Sequence, residues 1–239
     1  MELSTSYSHK QVNFDEAIAF ISDQRSKSSS CVIAIDQPTI VPNQTSTRPV
    51  DRVAASLMSF VGGGVQPANR SKMGMFDDEA PKWAFKKQLD AIEEPEESRI
   101  RATGVFLIEV FPALTLTALY PESCARLRCL KYNPVNIRFC IEHWKIVIDT
   151  IARYADMAKL TKIKNWTLRL ERNSRPTKAD KDKLDSVLCV LIGYHWRLGP
   201  RADSILIGDT ASGYMITPAH AAMRERLERA ATKRGVAIT

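Results

Sequence analysis

Two short apolar runs constrain the fold of this chain most, because each has the composition of a β-strand that is buried on both faces. The first, CVIAI at residues 31–35, shows no alternation of apolar and polar residues and ends at Asp36. The second, GVFLIEV at residues 104–110, contains one carboxylate, Glu109, and a proline follows each run closely. Strands of this kind lie in a parallel or mixed sheet covered by helices, so an α/β fold is predicted.

Helical periodicity predicts the elements that cover such a sheet. Apolar residues recur every three or four positions in several segments, at residues 14–25, 51–60, 135–160 and 184–195. Thr177 and Asp180 form a capping pattern before the last segment, and Gly199 is a suitable stop after it. The tail predicts a strand (SILIG), a turn (DTASG), a second strand (YMITP) and a charged helix at residues 219–234.

The composition is that of a globular protein with unevenly distributed charge. Of 239 residues, 44% are apolar, and we expect a single domain over residues 1–239. Eight carboxylates within residues 77–97 predict an acidic insertion near residues 77–99. Residues 126–178 hold 13 Lys or Arg against four Asp or Glu and predict a basic helical segment. This basic bias favours a polyanionic partner such as a nucleic acid.

Cysteine usage and hydropathy predict a cytoplasmic protein. The five cysteines are odd in number and form no CxxC pair, and the four histidines are scattered, so no Cys/His zinc site is expected. The sequence contains no signal-peptide core and no apolar run approaching the ~20 residues of a membrane span. We therefore expect reduced thiols and no membrane partner.

Carboxylates at the ends of buried strands suggest a metal site. Ligands of α/β sheets bind at the carboxyl ends of the strands, where Asp36 and Glu109 lie. A buried carboxylate is costly unless it is paired or binds a cation, so Glu109 requires one or the other. Asp182 and Asp185 in DKLD share one side of a helix, where they either cap and solvate its start or join the first two. Oxygen ligands alone suit Mg²⁺ or Mn²⁺, bound as one ion or as a pair.

Four segments in order resemble the family called domain of unknown function 429. They are AIDQPTIVPNQTSTRPVDR, GVFLIEVFPALTL, DKLDSVLCVLIGYHW and GYMITP, and the resemblance covers roughly residues 11–218. It implies a ribonuclease-H-like mixed sheet flanked by helices, and the activity of a nuclease. Such a fold opens with a strand that carries an aspartate, and no apolar strand ending in Asp precedes Cys31. Either the start of the sequence is truncated, or the expected site lacks its first carboxylate.

The expected function is a divalent-metal-dependent nuclease that hydrolyses phosphodiester bonds of DNA or RNA. Asp36, Glu109 and Asp185 are the expected metal ligands, and Asp182 assists or replaces Asp185 in a catalytic set of four. The main alternative is a non-catalytic nucleic-acid-binding or interaction protein on a degenerate ribonuclease-H-like fold. A nucleotide-dependent phosphotransferase is disfavoured, because the chain has no glycine-rich phosphate loop.

Six residues are candidate substrate contacts: Arg48, Arg52, Asn69, Arg70, Lys164 and Trp166. The two arginines beside Asp51 either touch phosphate or form a surface ion pair. Asn69 and Arg70 follow a glycine-rich loop that is expected to border the same cleft. Trp166 either stacks on a base while nearby cations hold the backbone, or belongs to a half-buried strand, since residues 166, 168 and 170 alternate. The strand is the favoured interpretation.

Overall fold

The strands form two small β-sheets joined by one bridge. The computed structural model describes residues 14–239, in which β1 (Ser30–Ile35) pairs in parallel with β2 (Gly104–Glu109). The hairpin of β3 (Ser204–Asp209) and β4 (Gly213–Pro218) is antiparallel. A parallel bridge between Val110 and Ile216 connects the two sheets. The predicted pairing of the two apolar runs is confirmed, and Ile35 lies opposite Glu109 in the register.

Helices make up most of the rest of the described chain and cover the strands. They are α1 (Phe14–Ser26), α2 (Pro49–Val61), α3 (Pro81–Leu89), α4 (Glu97–Ile100), α5 (Pro112–Leu119), α6 (Ile141–Met157), α7 (Thr161–Glu171), α8 (Lys178–Leu198) and α9 (Ala221–Thr232). Within residues 14–239, no helix is long and apolar enough to cross a membrane. The arrangement is a mixed α/β fold, as the sequence predicts.

The approach of α8 to β1 positions the candidate site. Gly193 lies in the middle of α8, and a Cβ atom there would be 3.4 Å from the Cβ of Ala34. An added methyl group would therefore be at ordinary van der Waals distance, which shows that α8 packs directly against β1. Val32, Ala34, Cys189 and Ile192 belong to the same hydrophobic cluster. The start of α8 is thereby held beside the carboxyl end of β1.

Two predictions of secondary structure need correction, and one helix was missed. The strand predicted at residues 166–170 is wrong, because these residues lie in α7. The buried residues of α7 are Ile163 and Thr167, whose spacing of four is helical, and the apparent alternation hid it. The helix predicted from residue 135 begins at Ile141, and Val135 is exposed. Helix α5, which follows the proline after β2, was not predicted.

Candidate functional site

The carboxylate of Glu109 binds a cation that belongs to the protein itself. Glu109 is the last residue of β2 and is 1% exposed. Arg48 donates two hydrogen bonds to it, from Nη2 to Oε1 at 2.6 Å and from Nη1 to Oε2 at 2.9 Å. The backbone N–H of Thr39 donates to Oε2 at 2.8 Å. The charge that is unexpected in an apolar strand is thus compensated by a buried arginine.

Asp51 completes a buried ion triad with Arg48 and Glu109, called here the Arg48 triad. Arg48 donates from Nη2 to Asp51 Oδ1 at 2.7 Å and from Nε to Oδ2 at 3.1 Å. Burial opposes the charge of Arg48, but the hydrogen bonds to Glu109 and Asp51 outweigh it and raise the pKa of the guanidinium. Burial raises the pKa of Glu109, while Arg48 opposes that rise. Both oxygens of Glu109 accept N–H groups from Arg48, which is the geometry of an ionised carboxylate.

Asp36 follows β1 directly and reaches into a cleft. The cleft consists of two adjoining cavities of about 650 and 710 Å³, and Asp36 and Lys82 line both. We call the two cavities together the Asp36 cleft. Asp36 is open to solvent there, yet the cleft walls displace much of the surrounding water. This burial, with the nearby negative charge of Asp185, raises the pKa of Asp36 to about 7, although Lys181 opposes the rise.

The first turns of α8 bring two more carboxylates to the first cavity, Asp182 and Asp185. Asp185 is buried, and its Oδ1 accepts a hydrogen bond from the Tyr132 hydroxyl at 2.9 Å. Its Oδ2 forms an ion pair with Lys181. Burial raises the pKa of Asp185, and Lys181 and Tyr132 oppose that rise. Asp182 forms a more exposed ion pair with Lys178.

Lysines of α3 line the cleft opposite the aspartates. The ammonium of Lys82 donates to the carbonyl of Pro38, and that of Lys86 donates to the Thr39 carbonyl at 2.8 Å. Burial, with positive charges that include Arg48, lowers the pKa of Lys82 to about 7, although Glu109 opposes this. The cleft therefore combines carboxylates and amines.

The carboxylates of the predicted metal site are not equally available. The structure brings Asp36, Asp182 and Asp185 to one cavity but holds Glu109 in the Arg48 triad. Among residues 14–239, no group of three or more His, Cys, Asp or Glu side chains is arranged to hold a metal ion. Of the four predicted carboxylates in this part of the chain, only Asp36 has neither an ion pair nor a side-chain hydrogen bond.

Three of the predicted substrate contacts support loops or line another cavity. Arg52 lies beside a separate cavity of about 350 Å³. Asn69 is buried and donates to the carbonyl of Ser46 at 2.6 Å. Arg70 donates to the carbonyl of Val41 at 2.9 Å. Among the predicted contacts, only Arg48 lines the cleft, and its polar atoms are engaged in the triad.

Lys164 and Trp166 lie on α7, and neither lines the cleft. Lys164 forms an exposed ion pair with Asp156, with Nζ and Oδ1 2.7 Å apart. Trp166 is half-buried and packs against the hydrophobic cluster that contains parts of α6 and α8. If these two residues bind nucleic acid, they do so outside the cleft.

The sequence analysis missed both partners of Asp185, Lys181 and Tyr132. The four-residue spacing between Lys181 and Asp185 is an ion-pair signal that the sequence does contain. Tyr132 carries no such signal, because its hydrogen bond to Asp185 joins residues 53 positions apart. The buried position of Arg48 was also hidden, since its spacing of three from Asp51 fits a surface ion pair equally well.

Residues 8–211 match the model of a family described as Protein of unknown function (DUF429). No curated protein and no solved structure matches the chain.

Proposed function

We propose a function for this chain on the premise that it belongs to the DUF429 family, as the match over most of its length shows. The proposed function is divalent-metal-dependent hydrolysis of nucleic-acid phosphodiester bonds in the Asp36 cleft. Asp36 and Asp185 hold Mg²⁺ or Mn²⁺, and Asp182 assists. The ribonuclease-H-like character of the sheet belongs to the same proposal.

One observation carries the proposal: Asp36 and Asp185 line one cavity at the carboxyl end of β1. Burial is the main cause of the raised pKa of Asp36, and repulsion by the negative charge of Asp185 adds to it. A cation bound between them would relieve this repulsion. Mg²⁺ commonly binds to one or two protein carboxylates and takes its other ligands from water and substrate phosphates. Two aspartates in an open cleft fit this mode, whereas Glu109 does not fit as a ligand, because Arg48 and Thr39 occupy its oxygens.

The other polar groups of the cleft suit an anionic substrate. Lys82 and Lys86 of α3, together with Lys178 of α8, line the cavity that contains the aspartates. Lysine ammonium groups bind phosphate oxygens, although Lys86 and Lys178 must then leave their carboxylate partners Glu93 and Asp182. A bound divalent ion would supply charge stabilisation and an activated water. In the metal-free protein Asp36 has a pKa of about 7, so binding of a metal ion to Asp36 would release a proton near neutral pH.

A specific observation favours the non-catalytic alternative. Glu109, Asp182 and Asp185 each pair with a cation of the protein, namely Arg48, Lys178 and Lys181. A site that satisfies its own carboxylates can retain the fold and bind nucleic acid without cleaving it. The basic segment 126–178 would then provide the affinity.

Nuclease assays on labelled single- and double-stranded DNA and RNA test the proposal. The protein should cleave at least one substrate with Mg²⁺ or Mn²⁺ and none with chelator. Asp36→Asn and Asp185→Asn should each reduce cleavage about 100-fold or more, because each removes a charged ligand. Asp149→Asn, which changes an exposed residue of α6, is the matched control and should retain activity. Binding by fluorescence anisotropy without cleavage under any condition would select the non-catalytic alternative.

A further inference from the structure

The Lys181 ammonium lies among the aspartates of the cleft. It forms an ion pair with Asp185, and the side chains of the two residues are 20% and 9% exposed. It also attracts the negative charges of Asp36 and Asp182. A single ammonium therefore interacts with all three carboxylates that line the first cavity.

The position of Lys181 is unfavourable for the helix itself. Thr177 caps α8, so Lys181 lies in the first turns, where the helix dipole disfavours a positive charge. The order Lys before Asp at a spacing of four is also the weaker orientation of a helical ion pair. The favourable free energy that holds the ammonium at this position must therefore come from its attraction to the carboxylates of the cleft.

The Lys181 side chain borders two cavities. It also lines a neighbouring cavity of about 260 Å³, together with Asn133 and Asn136. Its flexible stem can move towards that space without unwinding α8. Lys178 differs from Lys181, because it does not line this neighbouring cavity and pairs with the more exposed Asp182.

We propose that the Lys181 ammonium holds the place of the divalent cation between Asp36 and Asp185, and that a metal ion binds when Lys181 leaves Asp185. Lys181 is thus a positioning residue that competes with the metal. The inference rests on the proposed function for the identity of the cation, but it concerns binding and not cleavage. It implies that the unaltered protein binds free Mn²⁺ weakly and that removal of this lysine strengthens binding.

Titration of Mn²⁺, followed by electron paramagnetic resonance of the free ion, tests this inference on the full chain. Lys181→Met should bind Mn²⁺ at least tenfold more tightly than the unaltered protein, which corresponds to about 1.4 kcal/mol. Arg229→Met, which removes the cation of an exposed pair with Glu225 on α9, is the control and should change the affinity less than threefold. Lys181→Arg keeps the charge and should bind as weakly as the unaltered protein. If Lys181→Met does not fold, Lys181→Gln provides the same comparison with a polar side chain.

The outcomes separate this inference from the proposed function. Tighter Mn²⁺ binding by Lys181→Met without cleavage by any variant would support the inference and refute the nuclease. Metal-dependent cleavage by the unaltered protein with equal Mn²⁺ affinity in Lys181→Met would refute the inference alone. No Mn²⁺ binding by any of the variants would overturn both. A purely structural ion pair predicts lower stability of Lys181→Met with no gain in metal affinity.

Discussion

Replacement of Glu109 by glutamine distinguishes a structural carboxylate from a metal ligand. The substitution nearly preserves shape but removes the charge that pairs with Arg48 at 2.6 and 2.9 Å. It also places an amide group where the carboxylate accepted N–H donors from both Arg48 and Thr39. We expect the variant to be destabilised in the absence of metal.

The magnitude follows from burial and from the partner that remains. Removing one member of a buried ion pair costs about 3–5 kcal/mol, because it leaves an uncompensated charge. Arg48 keeps its hydrogen bonds to Asp51 at 2.7 and 3.1 Å, so the lower end, about 3 kcal/mol, is expected. For a chain of this length, that loss corresponds to a fall in Tm of about 6–12 °C.

Glu96→Gln is the matched control for this measurement. Glu96 also accepts hydrogen bonds from an arginine, Arg201, at 2.7 and 2.9 Å, but both side chains are partly exposed. Exposed pairs contribute about 0–1 kcal/mol, so the control should remain near the stability of the unaltered protein. The comparison isolates the effect of burial.

Thermal melts with chelator and with Mg²⁺ or Mn²⁺ measure both effects. Glu109→Gln should melt lower than the unaltered protein in every condition, and any rise in Tm caused by metal should persist in the variant. A Glu109→Gln protein that is as stable as the unaltered one with chelator would refute the structural role of the Arg48 triad. Loss of the metal-dependent rise in this variant would show that Glu109 is a metal ligand after all.

Three further outcomes test other parts of the molecule. Burial raises the pKa of Asp36 to about 7, so the folded state binds the extra proton between about pH 4 and 7 and loses stability as the pH rises through that range. Asp36→Asn should therefore stabilise the metal-free protein at pH 8 by about 1–2 kcal/mol, a value discounted because Asp36 is exposed, and should be neutral at pH 4 in urea titrations. Thr177→Ala removes the cap of α8 and should cost about 1 kcal/mol in the same assay, and a neutral result would contradict the capping box of Thr177 and Asp180. Nucleic-acid binding through residues 126–178 should weaken steeply between 50 and 200 mM salt in anisotropy titrations, and binding that ignores salt would exclude phosphate contacts.

The strands were predictable because their burial is encoded locally. An unbroken apolar run identifies β1 and β2, and their parallel pairing follows from the helices between them. The start of α8 was equally local, since its cap requires only Thr177 and Asp180. The strand prediction for residues 166–170 failed because five residues are too few to distinguish alternation from helical spacing. Packing against α6 favours the helix.

The partners of the carboxylates were not predictable from local sequence. Glu109 and Arg48 are 61 positions apart, and only the folded chain shows that the guanidinium is buried under the cleft. The sequence indicates a buried carboxylate, which requires a cationic partner, but a metal ion and an arginine satisfy this requirement equally well. The sequence therefore predicted correctly that Glu109 has a cationic partner, but it did not identify that partner.

The same ambiguity explains how one cleft can hold carboxylates whose partners differ widely in strength. Glu109 is fixed by a bidentate arginine that cannot lose its proton, so no ion in solution competes effectively for it. Asp185 is paired with a lysine, a single flexible ammonium that leaves more readily than a guanidinium held by several hydrogen bonds. Asp36 has no such partner in the described chain and carries the cost as a raised pKa. The carboxylates therefore become more available to an external partner in the order Glu109, Asp185, Asp36. This order points to the cavity beside α8, and not to the Arg48 triad, as the place where an external cation or an anionic substrate would act.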